Sequence, residues 1–472
     1  MIKVYNTLSK KKEVLKPLKD KELDIFVCGP TVYDFSHIGH ARTYIIFDVI
    51  INYLKDQGFK VFYLQNITDI DDKIIKRAKE RDKNWKEIAE KFEKEYLKDM
   101  KDLGVISVNK YAKATDYIKE IESQVERLIE KGFAYKLEDG IYYDISKFKD
   151  YGKLSKRKSE KSEDAVSRID DSKNKRNKGD FCLWKFSKPD EPSWKSDLGK
   201  GRPGWHIEDT AITEKEFGFQ YDAHGGARDL IFPHHEAEIS QMEALSNKKP
   251  MAKYWLHTGF LRVEGRKMSK SLGNFITIRD FLKENSPRLL RFLIIKSHYR
   301  SPINYSKNKI IKINKELERI EEFVTRLKEV KEKKINNNSN KIVEKARREF
   351  QEAMNDDFNT PEAIASIFNL INKGNKLIDK NKISSKEAEE IINFIKETDE
   401  IFKIDLTKTS YTINLKDKVK ISKKLNLLIN ERENYRENKE WKKADEKRKE
   451  IEKLGYIIKD TKEGPKIKKF SK

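Results

Sequence analysis

Residues 25–42 read IFVCGPTVYDFSHIGHAR, an apolar run that breaks at Cys-Gly-Pro and leads into two histidines around a glycine. LDIFVC at 23–28 has the length and composition of a buried strand. A helical pattern follows near 40–57 and is closed by Gly58, and KVFYLQNI at 60–67 predicts a second strand. This strand–helix–strand order predicts a parallel sheet that binds ligands at the carboxyl ends of its strands.

The pattern farther along indicates an interruption of that sheet. Residues from about 84 to 131 are predicted to be helical and polar, and 134–146 predict a hairpin that turns at Asp139-Gly140. The Lys/Ser/Asp-rich stretch 152–180 has too few apolar residues for a core, so it is predicted to be a mobile insertion.

Apolar segments then return. FCLWKF at 181–186 predicts a strand, and the segments 216–232 and 254–263 predict that the parallel sheet is completed after the interruption. Beyond about residue 310 the pattern is typical of long, charged helices broken at 335–340. One helix start is well marked, because Asn359-Thr360-Pro361-Glu362 places a capping residue directly before the proline, at the first helical position.

The totals limit the class of protein. A chain of 472 residues is too long for one core, so two to four domains are expected. No apolar stretch approaches the ~20 residues that a membrane span requires. The first residues lack the apolar core of a signal peptide, which predicts a cytoplasmic protein. Two cysteines, Cys28 and Cys182, cannot form a disulfide scaffold.

The chain is strongly basic, with a formal net charge of +22. This charge predicts an anionic partner such as nucleic acid, whose phosphates supply most non-specific affinity. The alternative is that lysine is abundant only because of genomic base composition. Residues 421–472 carry 17 Lys and Arg against 10 Asp and Glu, so the C-terminal end shares the positive charge.

Two segments carry residues suited to phosphate binding. His37-Ile38-Gly39-His40 opens the first predicted helix, where free N–H groups and the helix dipole favour an anion. Gly39 leaves room for a flat ring near the backbone, and the two imidazoles can donate to phosphate oxygens. The alternative is a pair of capping or core histidines. The G-x-G-x-x-G match at 199–204 follows no strand and contains Pro203, so it is interpreted as chance.

The second segment is EGRKMSKSLGN at 264–274. Lys267 and Lys270 can deliver ammonium groups to phosphates, and Gly265 and Gly273 permit a loop that closes and reopens. Alone, the segment is better interpreted as an exposed basic loop. Together with a histidine pair on a nucleotide-binding sheet, it indicates an ATP site.

HIGH at 37–40 and KMSKS at 267–271 resemble the signatures of class I aminoacyl-tRNA synthetases, and longer segments resemble the cysteinyl-tRNA synthetase family in particular. Those segments are CGPTVYDFSHIGHAR, NITDIDDKII at 66–75, GRPGWHIE at 201–208, HGGARDLIFPHHEAE at 224–238 and AMNDDFNTPEA at 353–363. The resemblance runs from about residue 3 to the C-terminus.

The resemblance implies an α/β fold: a Rossmann-like parallel-sheet catalytic domain with an insertion, then a helical bundle and a small C-terminal anticodon-binding domain. The implied boundaries are 1–115 and 201–262 for the catalytic halves, 116–200 for the inserted domain, 263–315 for the KMSKS loop and stem-contact region, 316–405 for the bundle and 406–472 for the last domain.

The resemblance also implies the chemistry. An amino-acid carboxylate attacks the α-phosphate of ATP, pyrophosphate leaves, and the aminoacyl group passes to the terminal adenosine of tRNA(Cys). His37, His40, Lys267 and Lys270 are then catalytic phosphate ligands, with Mg²⁺ assisting. The implied ATP-binding set is His37, Gly39, His40, Lys267, Met268, Ser269, Lys270 and Ser271.

The family holds a zinc ion with two cysteines, a histidine and a glutamate, and uses it to bind the thiol of L-cysteine. Cys28, His234 and Glu238 match three of these ligands, and the last two are four apart on one predicted helical face. Asp209 stands where the family has the second cysteine, and a carboxylate is a harder ligand than a thiolate. Zinc held with Asp209 as ligand is the prediction, and weak or no zinc binding is the alternative. Cys182 is predicted to pack inside.

The resemblance gives further binding residues. Gly29, Thr68, Trp205, His224 and Asp229 are implied to surround the substrate, with Asp229 as counter-charge for an ammonium group. A buried structural carboxylate is the alternative for Asp229.

At the C-terminal end the resemblance implies that the anticodon is read by Arg436, Trp441, Asp445 and Asp460. Aromatic stacking combined with charged hydrogen-bonding groups suits single-stranded bases. Without the resemblance, Trp441 is better interpreted as an anchor of an amphipathic helix. GPKIKK stands where the family more often ends in a Gly-Thr-x-Trp-like segment.

Two other functions stay open on the sequence. One is a ligase of the same lineage that joins cysteine to a sugar amine, although such relatives lack a full anticodon domain. The other is a non-catalytic RNA-binding descendant, for which Asp209 is the only supporting departure in the core motifs. A monomer is expected.

Overall fold

The computed structural model describes residues 1–157, 174–204, 206–269, 272–331, 338–407, 412–414, 423–454, 456–461 and 464–469. Most of the predicted mobile insertion, residues 158–173, lies outside the described residues, as do Trp205, Lys270 and Ser271. No helix in the described part of the chain is long and apolar enough to cross a membrane.

The first part of the chain forms a short antiparallel hairpin and then the predicted strand–helix–strand unit. Its elements are β1 (Lys3–Asn6), β2 (Lys11–Val14), β3 (Glu22–Val27), α1 (Ile38–Asp56), β4 (Lys60–Ile67), α2 (Asp72–Glu80), α3 (Trp85–Asp102) and β5 (Lys110–Lys113). The prediction of helix across about 84–131 is wrong at β5, because the four residues KYAK pair in parallel with β4 at the edge of the sheet.

An antiparallel sheet interrupts the parallel one. This part of the chain consists of the helix α4 (Ile118–Glu130) and the strands β6 (Ala134–Lys136), β7 (Gly140–Tyr143), β8 (Phe181–Phe186) and β9 (Gly201–Pro203). The strands follow the order β6-β7-β8-β9, which confirms the hairpin and the strand predicted at FCLWKF. Cys182 is buried in β8, as predicted. Of the three glycines of GKGRPG, Gly201 begins β9, and Gly199 and Gly204 lie on either side of the strand.

The second half of the parallel sheet comes from α5 (Ile207–Phe217), β10 (Tyr221–Ala227), α6 (His234–Ser246) and β11 (Ala252–Thr258). The five strands lie in the order β11-β10-β3-β4-β5, and every neighbouring pair is parallel. β3 therefore pairs with one strand from its own half and one from beyond the interruption. This arrangement confirms the predicted α/β class and brings the carboxyl ends of β3, β4 and β10 to one edge.

After β11 the chain forms a small sheet and two helices. They are β12 (Leu261–Val263), β13 (Arg266–Lys267), α7 (Ile278–Glu284), α8 (Pro287–Ile295) and β14 (Ile303–Tyr305). β12 pairs with β13 as an antiparallel hairpin and with β14 in parallel. Arg42 of α1 is buried beneath this hairpin, where its guanidinium donates to the carbonyl oxygens of Phe260, Tyr299 and Ser301.

The helical part consists of α9 (Lys307–Lys328), α10 (Asn338–Asn355), α11 (Thr360–Asp379) and α12 (Ser385–Phe402). Asn359 caps α11 by accepting from the Glu362 N–H at 3.3 Å, one residue before the capping position that the sequence predicts. The helix begins at Thr360, so Pro361 occupies its second position rather than the first.

A buried carboxylate joins this helical part to β1 and to the segment before β14. Asp357, in the turn before α11, accepts from the Tyr5 N–H, the Tyr299 hydroxyl and Arg300 Nε, each at 2.7 Å. Asp357 and Phe358 both have positive φ, 62° and 51°. Non-glycine residues hold this backbone conformation only where the surroundings fix it, so the three hydrogen bonds define the geometry of the junction.

The last part of the chain contains β15 (Thr412–Asn414), α13 (Lys423–Glu437), α14 (Trp441–Lys453), β16 (Tyr456–Thr461) and β17 (Gly464–Lys469). The strands form an antiparallel sheet in the order β15-β17-β16. A small core of its own, which includes Leu425, Ile429, Ile451, Ile458 and Ile467, holds the helices on this sheet.

Candidate active site and metal centre

The two signature histidines cap the first helix. His37 is the N-cap of α1, and its Nδ1 accepts from the His40 N–H at 3.2 Å. His40 Nδ1 accepts in turn from the His37 N–H at 3.4 Å, and the rings stack with centroids 3.7 Å apart. Because each Nδ1 accepts a hydrogen bond, the proton of each neutral ring lies on Nε2. The two histidines do cap the helix, and this geometry leaves both rings as Nε2–H donors, so their role as phosphate ligands stays a prediction.

Burial keeps the second ring neutral. Burial lowers the pKa of His40 well below its ordinary value, and the positive charges of His37 and Lys73 add to the effect. A neutral imidazole that donates from Nε2 can bind a phosphate oxygen without carrying charge. The positive charge at this site then has to come from lysines.

The hairpin segment lies directly against these histidines. Met268 Cε is 3.4 Å from the position that a Cβ on Gly39 would occupy. Phe275 packs its ring edge-on against His37 with centroids 5.3 Å apart, and the Ile38 N–H donates to the Ile276 carbonyl at 3.1 Å. The predicted convergence of residues 37–40 with 267–269 is therefore present in the fold.

Lys267 ends β13 and is exposed, so its ammonium group reaches solvent beside the site. The loop after it is shaped by Asn274, whose side chain accepts from the Ser269 N–H at 2.9 Å and donates to the Lys267 carbonyl at 3.1 Å. Lys270 and Ser271 lie outside the described residues, so their part in ATP binding stays a prediction.

The four predicted metal ligands meet in one buried cluster. His234 Nε2 lies 2.9 Å from Asp209 Oδ2, 2.8 Å from Glu238 Oε1 and 3.4 Å from Cys28 Sγ. Cys28 Sγ is also 3.5 Å from Asp209 Oδ2. Cys28 follows β3, Asp209 lies in the first turn of α5, and His234 and Glu238 are one turn apart on α6, so three elements contribute.

This cluster fits a bound cation. Tetrahedral coordination with bonds of about 2.0–2.3 Å places ligand atoms roughly 3.3–3.6 Å apart. The two sulfur distances match this spacing, whereas the two nitrogen–oxygen distances of 2.8 and 2.9 Å are those of hydrogen bonds. Cys28 Sγ donates to Asp209 Oδ2, and His234 Nε2 lies between that carboxylate and Glu238. Once the thiol and the carboxyl groups have lost their protons, the cluster offers one sulfur, one nitrogen and two carboxylates to a divalent ion.

Burial is the largest single influence on the pKa values of the groups in this cluster. It raises the pKa of the Cys28 thiol, and the negative charge of Asp209 raises it further. It also raises the pKa of Glu238 to about 8, against the opposing attraction of His234. Burial lowers the pKa of His234, but Glu238 and Cys28 outweigh this, and the net pKa is well above its ordinary value. A metal ion must therefore displace protons when it binds near neutral pH.

A further histidine fixes the orientation of His234. His206 Nδ1 lies 2.5 Å from His234 Nδ1, and burial lowers the pKa of His206 well below its ordinary value. Such a contact on Nδ1 leaves Nε2 of His234 directed at the cluster. His206 has a φ of +82°, so the backbone before α5 is held in the left-handed region at this point.

The predicted substrate residues fall into two groups. Gly29, Thr68 and His224 lie beside the metal cluster: Thr68 and His224 are buried, and His224 Nε2 is 3.2 Å from Glu238 Oε2. Asp229 lies in a short helical turn after β10 and is exposed, so the buried-carboxylate alternative for it is wrong. Trp205 is outside the described residues.

Glu208 was not predicted as a functional residue from the sequence. It neighbours Asp209 in the first turn of α5, is buried, and lies 3.5 Å from the Thr68 hydroxyl. Burial raises its pKa well above the ordinary value, and the charge of Asp209 adds to this. The motif WHIE contained it, but nothing in the motif distinguishes a buried carboxylate that faces the site from a structural one.

The predicted anticodon residues share the last domain. Trp441 begins α14 and is 58% exposed, so it does not anchor the helix in a core. Asp460 accepts from Arg432 at 2.9 Å, Arg436 at 2.7 Å and Arg448 at 3.1 Å, and these arginines together lower its pKa. Asp445 lies at the edge of this group, 3.9 Å from Arg448.

Comparison with known proteins matches the whole chain. The family model for the catalytic domain of class I (C) tRNA synthetases covers residues 14–315, a DALR domain covers 349–407, and a cysteinyl-tRNA ligase anticodon binding domain covers 419–465. The cysteine–tRNA ligase of Methanococcus maripaludis strain C7 is 46% identical over 100% of both chains. The chain belongs to the cysteine–tRNA ligase family. The family member from Thermococcus gammatolerans is 44% identical over 98% of each chain.

Solved structures share the fold at low sequence identity. Methionyl-tRNA synthetase of Mycobacterium tuberculosis, in complex with methionyl-adenylate, aligns with a TM-score of 0.59 and 14% identity, covering 81% of this chain and 90% of that one. The ternary complex of LeuRS from Agrobacterium radiobacter aligns with a TM-score of 0.62 and 11% identity, covering 84% and 85%. The fold is therefore that of a class I synthetase, with a parallel sheet and a helical C-terminal region.

Proposed function

We propose that the protein joins L-cysteine to tRNA(Cys) in two steps that consume ATP. The observation that carries this proposal is the contact of the Met268 hairpin with the Gly39 helix start, at the edge of the sheet where the buried cluster around His234 also lies. Full-length similarity to cysteine–tRNA ligases supports the same reaction. We infer that ATP, cysteine and tRNA meet at this edge.

In the first step a carboxylate oxygen of cysteine attacks the α-phosphorus of Mg-ATP. The bond from that phosphorus to the bridging oxygen breaks, and pyrophosphate leaves with the electron pair. His37 and His40 donate from Nε2 to the phosphate oxygens, while Lys267 and Lys270 balance the negative charge. The protein supplies orientation and electrostatic stabilisation rather than a covalent bond.

In the second step a ribose hydroxyl of the terminal tRNA adenosine attacks the carbonyl carbon of the adenylate. The ester forms, the bond between the acyl carbon and the phosphate oxygen breaks, and AMP leaves. The basic last domain, with exposed Trp441 and with the arginines around Asp460, binds the anticodon end of the same tRNA. The domain boundaries, a monomeric state and a cytoplasmic location stay predictions.

We further propose that Cys28, Asp209, His234 and Glu238 hold zinc. When bound, the ion supplies a soft Lewis-acidic position that prefers the thiolate of cysteine to the hydroxyl of serine. The chain's part is to exclude water from that position and to hold His234 Nε2 toward it through His206. Because Asp209 replaces one of the family's two cysteines, the ligands are chemically harder, while their total formal charge stays the same.

The decisive experiment is aminoacylation of tRNA(Cys) with cysteine and with serine, with zinc measured in the same sample by elemental analysis. We expect charging with cysteine only and about one zinc per chain. A zinc content near zero in an active enzyme contradicts the metal assignment. Activation of cysteine without transfer to tRNA would favour the ligase that acts on a sugar amine, which the match of residues 419–465 to an anticodon domain already disfavours.

A further inference from the structure

Arg42 lies on α1 two residues after His40, and its guanidinium binds two separate segments of the chain. Nη1 donates to the Phe260 carbonyl at 2.5 Å, and Nη2 donates to the carbonyls of Tyr299, at 3.0 Å, and of Ser301. Phe260 directly precedes β12, and Ser301 lies two residues before β14. One planar guanidinium therefore joins the start of α1 to the bases of both strands.

The next residue of α1 holds the other side of the same joint. Thr43 Oγ1 lies 2.9 Å from the Oγ1 of Thr258, which is the last residue of β11. Gly259 alone separates Thr258 from Phe260, and a Cβ on it would lie 2.7 Å from the Ser301 carbonyl oxygen. The chain therefore passes from β11 to β12 through a tightly packed joint that α1 contacts on both sides.

Other contacts hold the two segments independently of Arg42. The Tyr299 hydroxyl and Arg300 Nε both donate to Asp357 at 2.7 Å, so the segment before β14 is bound on its far side. The Phe260 carbonyl also accepts from the Ile303 N–H at 2.9 Å. Removal of the guanidinium is therefore expected to loosen α1 from the joint without unfolding the joint itself.

The joint leads directly to the lysine that faces the histidine pair. β12 has three residues and β13 has two, and the strands pair with Arg262 opposite Lys267. Met268, the next residue, lies against the start of α1 at Gly39. A two-stranded hairpin is marginally stable alone. The position of Lys267 relative to the histidines therefore depends on how the base of the hairpin is held.

A buried charge is a costly way to fill space at this position. Arg42 is 1% exposed, and the three groups that accept its hydrogen bonds are all backbone carbonyls rather than carboxylates. Burial lowers the pKa of Arg42 to about 9, so the guanidinium stays charged at neutral pH. An apolar side chain could fill the same volume, but it could not fix the direction of two chain segments at once.

We propose that Arg42 is a positioning residue that holds the β12–β13 hairpin in register with His37 and His40, so that Lys267 meets the phosphates those histidines bind. This inference rests on the proposed function, because it assumes that ATP binds between the hairpin and the start of α1. Arg42 acts through the hairpin and does not contact ATP. Its effect is therefore confined to the ATP side of the reaction.

The test replaces Arg42 with methionine, which keeps a long side chain but removes every donor. We expect kcat/KM for ATP in ATP–pyrophosphate exchange to fall about 10²-fold, the cost of a displacement of ~1 Å. The KM for cysteine should stay the same. Arg291→Met is the matched control, because Arg291 is equally buried and donates to the carbonyls of Phe402 and Leu103 at 3.0 Å and to Asp48 at 2.8 Å.

The control should lower the melting temperature at least as much as Arg42→Met and should retain kcat/KM for ATP. An equal loss in both variants, or a matching rise in the KM for cysteine, would show a merely structural role and overturn the proposal. Failure of the unaltered enzyme to carry out the exchange with cysteine would instead refute the proposed function.

Arg42→Lys separates charge from geometry, and it decides the question if Arg42→Met does not fold. Lysine keeps the positive charge but donates from one nitrogen, which does not span two segments as the planar fork does. We expect a kcat/KM for ATP between those of Arg42→Met and the unaltered enzyme, again with no change in the KM for cysteine. Full activity of Arg42→Lys would show that charge alone suffices and would overturn the proposal.

Discussion

Met268 Cε lies 3.4 Å from the position that a Cβ added to Gly39 would occupy. The same added Cβ would lie only 2.8 Å from His37 Cε1 and Nδ1. Gly39 therefore allows the histidine ring, the helix start and the hairpin to pack together. Its backbone does not have positive φ, so the need for glycine here is a matter of space.

Gly39→Ala is expected to displace the His37 ring and the Met268 side chain while α1 still forms. Loss of one preorganised donor costs roughly 10²–10³ in rate, so the rate of ATP–pyrophosphate exchange should fall by about that factor. Gly58→Ala is the matched control, because nothing lies within 4 Å of its Cβ but its φ is +83°. The control should lower the melting temperature and retain exchange activity, and the reverse pattern would contradict our account of Gly39.

Substitution of Asp209 is expected to change metal affinity in a graded way. Asp209→Cys supplies a softer ligand and should bind zinc more tightly than the unaltered chain. Asp209→Asn should bind it at least about 10-fold more weakly, since changes outside the ligand set already cost that much. Competition with a chromophoric chelator measures both. Cys182→Ala, whose sulfur is buried in β8, should leave zinc affinity unchanged, and a parallel loss there would undermine the assignment.

Three carboxylates surround Arg279 just after the hairpin loop: Arg279 Nε is 2.6 Å from Asp99 Oδ1, and the guanidinium is 3.5 Å from Glu95 and 3.1 Å from Asp102. Burial raises the pKa of Asp99 to about 7, although Arg279 opposes the shift. Between about pH 4 and pH 7, the folded protein thus holds a proton that the unfolded chain has lost. The contribution of Asp99 to the free energy of unfolding is therefore expected to fall as pH rises through that window.

Thermal melts from pH 4.5 to 7.5 measure this dependence. Asp99→Asn cannot titrate, so its melting temperature should fall less steeply with pH than that of the unaltered protein. Asp102→Asn removes a carboxylate that is more exposed and should keep most of the slope. Identical slopes for all three proteins would exclude Asp99 as the titrating group.

Asp357→Asn is expected to destabilise the protein strongly. The change weakens a buried carboxylate that binds three donors and holds a left-handed turn, and breaking such a pair costs about 3–5 kcal/mol. Denaturant unfolding gives the free energy. The adjacent Asp356 pairs with Lys12 in solvent, so Asp356→Asn should cost about 1 kcal/mol or less. Equal costs for the two neighbours would show that the buried network does not define the junction.

Trp441→Ala is expected to weaken tRNA binding selectively. Stacking of one base on an aromatic ring contributes about 1–3 kcal/mol, which corresponds to a 5- to 150-fold rise in the KM for tRNA. ATP–pyrophosphate exchange should not change, because α14 lies in the separate last domain. Leu427→Ala removes a similarly exposed apolar side chain from the same domain. Its KM for tRNA should match that of the unaltered enzyme, and a shared increase would indicate loss of the domain fold instead.

The sequence predicted the elements whose patterns are long. The apolar runs of β3 and β4 and the helix between them are evident, because buried parallel strands lack polar alternation. β5 was not predicted, because two of its four residues, KYAK, are lysines. These residues form a strand because they pair with β4 at the edge of the sheet. β6 to β9 form one sheet because strands pair across the insertion, and such long-range pairing cannot be predicted from the sequence of any one strand.

The residues of the site were predictable where they lie in a sequence motif that the family shares. Cys28, Asp209, His234 and Glu238 were each placed by resemblance, and in the fold the other three all lie against His234. Glu208 and His206 were not assigned, because their importance comes from burial and from contacts with Thr68 and His234. Asp229 was assigned to the substrate, yet its exposure gives no support for a buried counter-charge.

The strand order has a consequence for biosynthesis. β3 emerges early from the ribosome, but its partner β10 follows only after the antiparallel sheet has been made. Until then one edge of β3 has unpaired backbone groups, and the Cys28 thiol lacks all three of the side chains that later enclose it. One edge of β3 and the Cys28 thiol therefore stay uncovered while most of the catalytic domain is made, and the cluster that we propose as a metal site is assembled among the last features of that domain.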